Sequence, residues 1–158
     1  MSKNQPLSGT MAHLSRLGLI NHAHVIIDVS NVLGALPKLQ WWRNRAAATK
    51  TVLDQVVKWN ADTGGAQRVS FVIEGLVERS FADRGQQGGV TIVHSKFRGR
   101  DACDDAIVDL VSALDSASRL TSVVVTSDKV LRQRIQDLGC NVVGVRTLLE
   151  AIESRRLL

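Results

Sequence analysis

Apolar residues along this chain follow two patterns. In one they form short unbroken runs rich in Val and Ile: His24–Asp28, Arg68–Ile73, Val90–His94, Ser122–Val125 and Asn141–Val145. Runs this short, flanked by turn residues, predict strands, and the first has almost no polar residue, as a buried strand requires. In the other pattern apolar residues recur every three or four positions. Ala48, Val52, Val56 and Trp59 do so from Asn44 or Arg45 onward, which predicts a helix ended by Thr63-Gly64-Gly65. Cys103, Ile107, Leu110, Val111 and Leu114 share one face of a helix expected over Asp101–Ser118. Further helices are expected over Asp128–Leu138, closed by Gly139, and over Arg146–Arg156. Ser30–Leu36 reads as a turn with a helical turn in it, closed by Pro37, and Met11–Leu19 as a short helix. Leu76–Gly89 reads as a mobile loop, 96–100 as a basic loop and 1–10 as a flexible terminus. Strands alternating with helices imply a parallel sheet covered on both faces. The expectation is one three-layer α/β/α domain over residues 11–158, its central sheet mostly parallel and of about five strands.

Three of the strand-like runs lead into acids. Val25-Ile26-Ile27 meets Asp28, Val69–Ile73 meets Glu74, and Val123-Val124-Val125 passes through Thr126-Ser127 to Asp128. A fourth group, Asp101, Asp104 and Asp105, opens a helix. In an open parallel sheet the carboxyl ends of the strands share one edge, where ligands bind. Carboxylates crowded there repel each other, and a divalent cation with hard oxygen ligands is the usual reason to tolerate them. At about 100° per residue, Asp104 flanks the core face of its helix and leans toward the sheet, while Asp101 and Asp105 point outward. Asp104 is therefore the first candidate ligand there and Asp105 the second. Asp101 reads as a helix N-cap, and Asp128 can equally cap the helix it precedes.

The chain of 158 residues is long enough for one core and carries a net charge of +5 with a pI near 9.8. A basic excess favours a polyanionic partner. The basic residues sit after or between the acid-bearing strand ends: Lys38, Arg43 and Arg45; Arg79 and Arg84; Lys96, Arg98 and Arg100; Lys129 and Arg132. Such segments suit a phosphate backbone, and Trp41, Trp42 and Phe97 could stack on unpaired bases, with at least one of the two tryptophans packing into the core. Cys103 and Cys140 have neither zinc nor disulfide spacing. His24 and His94 fall on strands and read as structural. No apolar run reaches the ~18–20 residues of a membrane span and no leader is read, so no membrane association and a cytoplasmic location are expected. A P-loop and a GxGxxG turn are both missing after the first strand, and Asp28-Val29-Ser30-Asn31-Val32 matches neither Asp-x-Ser-x-Ser nor Asp-x-Asp.

Ile27-Asp28-Val29-Ser30-Asn31 resembles the hydrophobic-Asp-x-x-Asn opening of NYN domains, the YacP-like branch of the PIN-fold ribonucleases. Gly99–Ile107 is similar to that family's Asp-Asp/Glu-x-Ile helix, and Val124–Asp128 to its strand ending in Thr-Ser-Asp. The resemblance spans roughly residues 23 to 155. It implies an acidic cluster holding Mg²⁺ or Mn²⁺, and many family members cleave RNA. By position Asp28, Asp104 and Asp128 match the metal-site acids, Asn31 the helper asparagine, and Asp105 the second acid of the helix motif. Glu74 stands where relatives often carry Asp after Phe, and Val29-Ser30 where they often carry Gly-Tyr. The implied function is metal-dependent hydrolysis of RNA phosphodiester bonds, with Asp28, Asn31, Asp104 and Asp128 catalytic and Glu74 and Asp105 at the rim. Arg79, Arg84, Lys96, Arg98, Arg100 and Lys129 would hold the RNA. Two alternatives stand beside it: a weak or inactive RNA-binding relative, and a PIN-type toxin held by an antitoxin. A homodimer or another protein partner is left open.

Overall fold

Five of the apolar runs lie side by side as parallel strands. The computed structural model describes residues 19, 22–63, 68–75, 86–95 and 101–156. In chain order the strands are β1 (His24–Asp28), β2 (Arg68–Ile73), β3 (Gln86–Gln87), β4 (Val90–His94), β5 (Ser122–Val125) and β6 (Asn141–Val143). The helices are α1 (Val29–Gly34), α2 (Arg45–Asp62), α3 (Ala102–Ser112), α4 (Ser116–Leu120), α5 (Lys129–Asp137) and α6 (Val145–Arg156), with a 3₁₀ turn at Pro37–Leu39. The sheet order is β3-β4-β2-β1-β5-β6, and only β3 runs antiparallel to its neighbour.

Alternation along β1 sends side chains to opposite faces of the sheet. Val25 and Ile27 join Phe71 and Val125 against Val52, Leu53 and Val56 of α2 and Leu148 of α6. Ile26 joins Val72 and Val124 against Ile107 and Val111 of α3 and Leu131 and Ile135 of α5. Each large side chain withdrawn from water contributes about 1.5–3 kcal/mol, so these two apolar layers hold the three-layer fold together. The chain moves outward from β1 to β2 and β4, then returns to place β5 on the other side of β1. The order thus reverses at β1/β5, the place where parallel sheets open a crevice beyond the strand ends.

Three details differ from the sequence expectations. The helix expected over Asp101–Ser118 is two helices, because Asp115 accepts the Ser118 N–H at 2.7 Å and caps α4. The apolar period itself ends at Leu114, and α4 beyond it buries no residue, so the cap and not packing starts it. The end of the expected 76–89 loop forms the β3–β4 hairpin: Gly88 and Gly89 have φ of 52° and 82°, the left-handed pair a tight hairpin turn requires. Helix α1 starts directly at Val29, with no preceding turn. The terminus 1–10, most of the 11–19 helix, and residues 76–85 and 96–100 lie outside the described residues.

Candidate functional site

Asp28 ends β1 and caps α1, and it is 3% exposed. Its Oδ1 accepts a long 3.4 Å bond from the Asn31 N–H, and its Oδ2 accepts the Thr126 hydroxyl at 2.9 Å. The register explains the second bond. Ile27 pairs with Val125, so the next residues, Asp28 and Thr126, emerge side by side at the sheet edge. Thr126 is fully buried, and its Oγ1 also accepts the Asp128 N–H at 3.2 Å. One hydroxyl therefore ties both acids together. Asp128 caps α5 by accepting the Leu131 N–H at 2.9 Å, as its capping reading expects.

Asn31 closes the other side of the same corner. Its Oδ1 accepts the Ser127 N–H at 2.7 Å, fixing the loop after β5 to the first turn of α1. The Ser127 hydroxyl, although next to Asp128 in sequence, turns elsewhere: its Oγ accepts the Val145 N–H at 2.9 Å and fastens the start of α6. Glu74 follows β2 in a turn without slack. The Gly75 N–H donates to Ser95 Oγ at 2.9 Å, and a Cβ at Gly75 would collide with the Ser95 carbonyl.

These segments border a cleft of about 470 Å³. Asp28, Asp104 and Asp128 line it together with Asp101 and Glu74. Ser30, Asn31, Arg45 and Cys103 complete the wall. Burial pushes the Asp28 carboxyl up, against the Thr126 and Asn31 hydrogen bonds, with Asp128 raising it further. Burial also pushes Asp104 up to about 6, with the charges of Asp28, Asp128 and Asp101 adding to it. The cleft thus holds more negative charge than its surroundings can satisfy, and protons or cations relieve it. Its hard carboxylate oxygens suit a hard divalent ion. Among the described residues no three His, Cys, Asp or Glu side chains stand close enough to form a ready-made cage. An ion such as Mg²⁺ takes one or two protein carboxylates and keeps most of its water. Asp28, Asp104 and Asp128 are the side chains that could hold it.

Of the predicted residues, Asp28, Asn31, Glu74, Asp104 and Asp128 meet in this cleft, and Asp105 does not. Asp105 is exposed and pairs with Arg134 of α5 at 3.1 Å. One residue beyond Asp104, it is turned about 100° around the helix and away from the sheet edge. Asp101 makes no side-chain cap bond and lines the cleft instead. Lys129 is exposed at the start of α5, beside Asp128. Arg79, Arg84, Lys96, Arg98 and Arg100 lie outside the described residues. Trp41 packs against the core while Trp42 is 59% exposed. Sequence reasoning missed Thr126, Ser30 and Cys103. The apolar period puts Cys103 with the core, yet it meets Ser30 Oγ at 3.5 Å on the cleft wall. The signal for Thr126 is its place as the first polar residue after an all-apolar run.

The family model for the YacP-like NYN domain matches residues 25–156 of this chain. Two crystal structures of Rae1 (YacP) from Bacillus subtilis, one of them a point mutant, share the fold at 21% identity, with TM-scores of 0.67 and 0.66. The superpositions cover 84% and 85% of this chain and 75% and 77% of the Bacillus chains. Among curated proteins none matches.

Proposed function

The chain belongs to the YacP-like NYN domain family, and on that premise we propose that it is a Mg²⁺- or Mn²⁺-dependent ribonuclease acting on single-stranded or flexible RNA. One observation carries the reading: Asp28, Asp104 and Asp128, from three separate segments, line one cleft where the strand order reverses. When bound by these carboxylates, the ion would lower the pKa of a water and offset charge on the phosphoryl oxygens. Asp104 binds the ion or positions the attacking water. Thr126 holds Asp28 and Asp128 at a fixed spacing through its hydroxyl. Asn31 orients the site by locking the loop that carries Asp128 onto α1. Lys129, exposed beside Asp128, would hold the RNA backbone, as would the basic segments 79–84 and 96–100, which lie outside the described residues.

Cleavage of a generic single-stranded RNA, measured against Mg²⁺ and Mn²⁺ concentration, tests this. Asp104→Asn should abolish cleavage while retaining or tightening RNA binding, because it removes negative charge near the phosphates. Equal cleavage by the variant and the parent would overturn the reading. A second reading, a weak or inactive RNA-binding relative, draws on the engagement of Glu74 with Arg45 at 3.7 Å. Binding without cation-dependent cleavage by the parent would favour it.

A further inference from the structure

Among the described residues that line the cleft, Arg45 alone is a cation. It is the first residue of α2, directly after the Asn44 cap, whose side chain accepts the Ala47 N–H at 3.0 Å. The guanidinium reaches back across the cleft wall. Its Nη2 donates to Ser30 Oγ at 2.8 Å, and the same nitrogen lies 3.7 Å from Glu74 Oε2. The Trp41 ring supports it, with Cζ 5.8 Å from the ring centroid. Its Nε is buried and meets no hydrogen-bond acceptor among the described residues.

This is an unusual state for an arginine that is only a structural ion pair. Such pairs are commonly bidentate, with N···O distances of about 2.7–2.9 Å. At 3.7 Å the Glu74 contact is too long for a hydrogen bond. Five donors in a rigid fork are available, and the oxygen nearest Nη2 is a neutral hydroxyl. A planar fork that is held in place and sparingly used matches a tetrahedral oxyanion bearing two free oxygens.

We propose that Arg45 binds a phosphate of the RNA strand beside the carboxylates, and that Glu74 is its resting counter-ion and not a cation ligand. The inference rests on the ribonuclease reading for the identity of the anion. Incoming phosphate takes Nη donors of the partly exposed guanidinium from the cleft side, with Nε left buried, and displaces the loose Glu74 contact. Trp41 and Ser30 keep the fork aimed into the cleft throughout. This gives Glu74 a role of its own. A shorter acid at position 74 would stand further from a guanidinium that Glu74 itself only approaches.

The test uses the full chain and a labelled short single-stranded RNA. Binding is measured in EDTA at several salt concentrations, and cleavage against Mg²⁺. Arg45→Ala should weaken binding about tenfold and lower the magnitude of the salt slope by roughly 0.7, the value for one lost contact on a single strand. Arg45→Lys should restore the slope but not the full affinity, since it keeps the charge and loses the fork. Glu74→Gln should tighten binding and leave the Mg²⁺ concentration for half-maximal cleavage unchanged. Thermal melts confirm that each variant is folded, and Arg45→Lys carries the test if Arg45→Ala is not. Unchanged binding by a folded Arg45 variant would overturn the proposal, as would a tenfold higher Mg²⁺ requirement in Glu74→Gln. If the parent cleaves and Asp104→Asn does not, such a result removes this inference alone. If the folded parent neither binds nor cleaves RNA, both readings fall.

Discussion

The two ends of β1 each bury a titratable side chain, and the molecule treats them differently. At the amino end His24 is 7% exposed, and its Nε2 lies 2.7 Å from Ser70 Oγ on the adjacent strand. Burial first, and the Arg68 charge second, push its imidazole down to about 4. At the carboxyl end Asp28 is 3% exposed and pushed up by burial. Both ends therefore disfavour charge. The difference lies in their company. His24 faces a neutral hydroxyl and the matter is closed. Asp28 faces a cleft in which Asp101, Asp104 and Asp128 add charge of the same sign. Burial alone marks a packed residue; burial in the company of like charges, with an open path to solvent, marks a place prepared for something to bind.

The largest effect that would sharpen this contrast is on the reaction. Asp104→Asn should lower cleavage at least about a hundredfold, while Ser70→Ala, buried within β2 beside His24, should leave it within about twofold. The cation-free Asp104→Asn protein should also melt higher than the parent at pH 7. The folded-state value of Asp104 is raised, so its ionised form costs stability above pH 6 or so. Mg²⁺ should raise the melting temperature of the parent and do much less for the variant, since a ligand at about 100 times its Kd contributes about 2.7 kcal/mol. An equal Mg²⁺ effect in both would place the ion elsewhere.

The next effect is on pH dependence, where the two ends have opposite signs. His24 is lowered from 6.5 to about 4, so the folded state binds the proton less well than the unfolded chain does. Its contribution is present above pH 6.5 and is lost as pH falls toward 4. Asp104 is raised from 3.8 to about 6, so its contribution is full below 3.8 and is lost as pH rises through 6. In the metal-free parent the two windows overlap and offset each other. Denaturant melts of Asp104→Asn between pH 4 and 7 should therefore fall more steeply on acidification than those of the parent. A parallel pair of curves would mean that one of the two environments is misassigned.

Smaller still is the effect of Thr126→Val. It keeps the shape and removes the hydroxyl shared by Asp28 and Asp128, at a cost of about 1–3 kcal/mol, and it should slow cleavage as well. Its counterpart Ser70→Ala should cost stability alone, and a cleavage defect in that variant would break the contrast. The smallest effect belongs to Asp105→Asn. The Arg134 pair is exposed, and such pairs contribute about 0.2–1 kcal/mol, so stability should barely change and cleavage not at all. Loss of cleavage there would return Asp105 to the site.

Much of this is legible in the sequence. Val- and Ile-rich runs mark all five parallel strands, most clearly β1, β2 and β5, which are buried almost throughout and have no polar face. The acids at strand ends mark the cleft, because parallel strands must deliver their carboxyl ends to one edge. Local competition is less legible. Whether Asp101 caps or faces the cleft depends on a backbone angle at the start of α3, not on residue type. The Asp115 cap starts a separate short helix beyond Leu114, where the apolar period has already ended. In the sequence Arg45 is one more surface cation, and only the fold brings it beside Ser30 and Glu74, partners 15 and 29 positions away. Thr126 is visible there only as part of a motif; its double hydrogen bond needs the β1–β5 register.

That register also sets an order of events in synthesis. The hydroxyl that spaces the two acids belongs to residue 126, and its partner in the cleft to residue 28. β5 joins β1 only after almost a hundred residues of chain have followed, and Ser127 then waits for Val145 to be fastened in turn. A single domain folds as a unit, so Asp28 stands without the hydroxyl that holds it until the chain up to Thr126 is present.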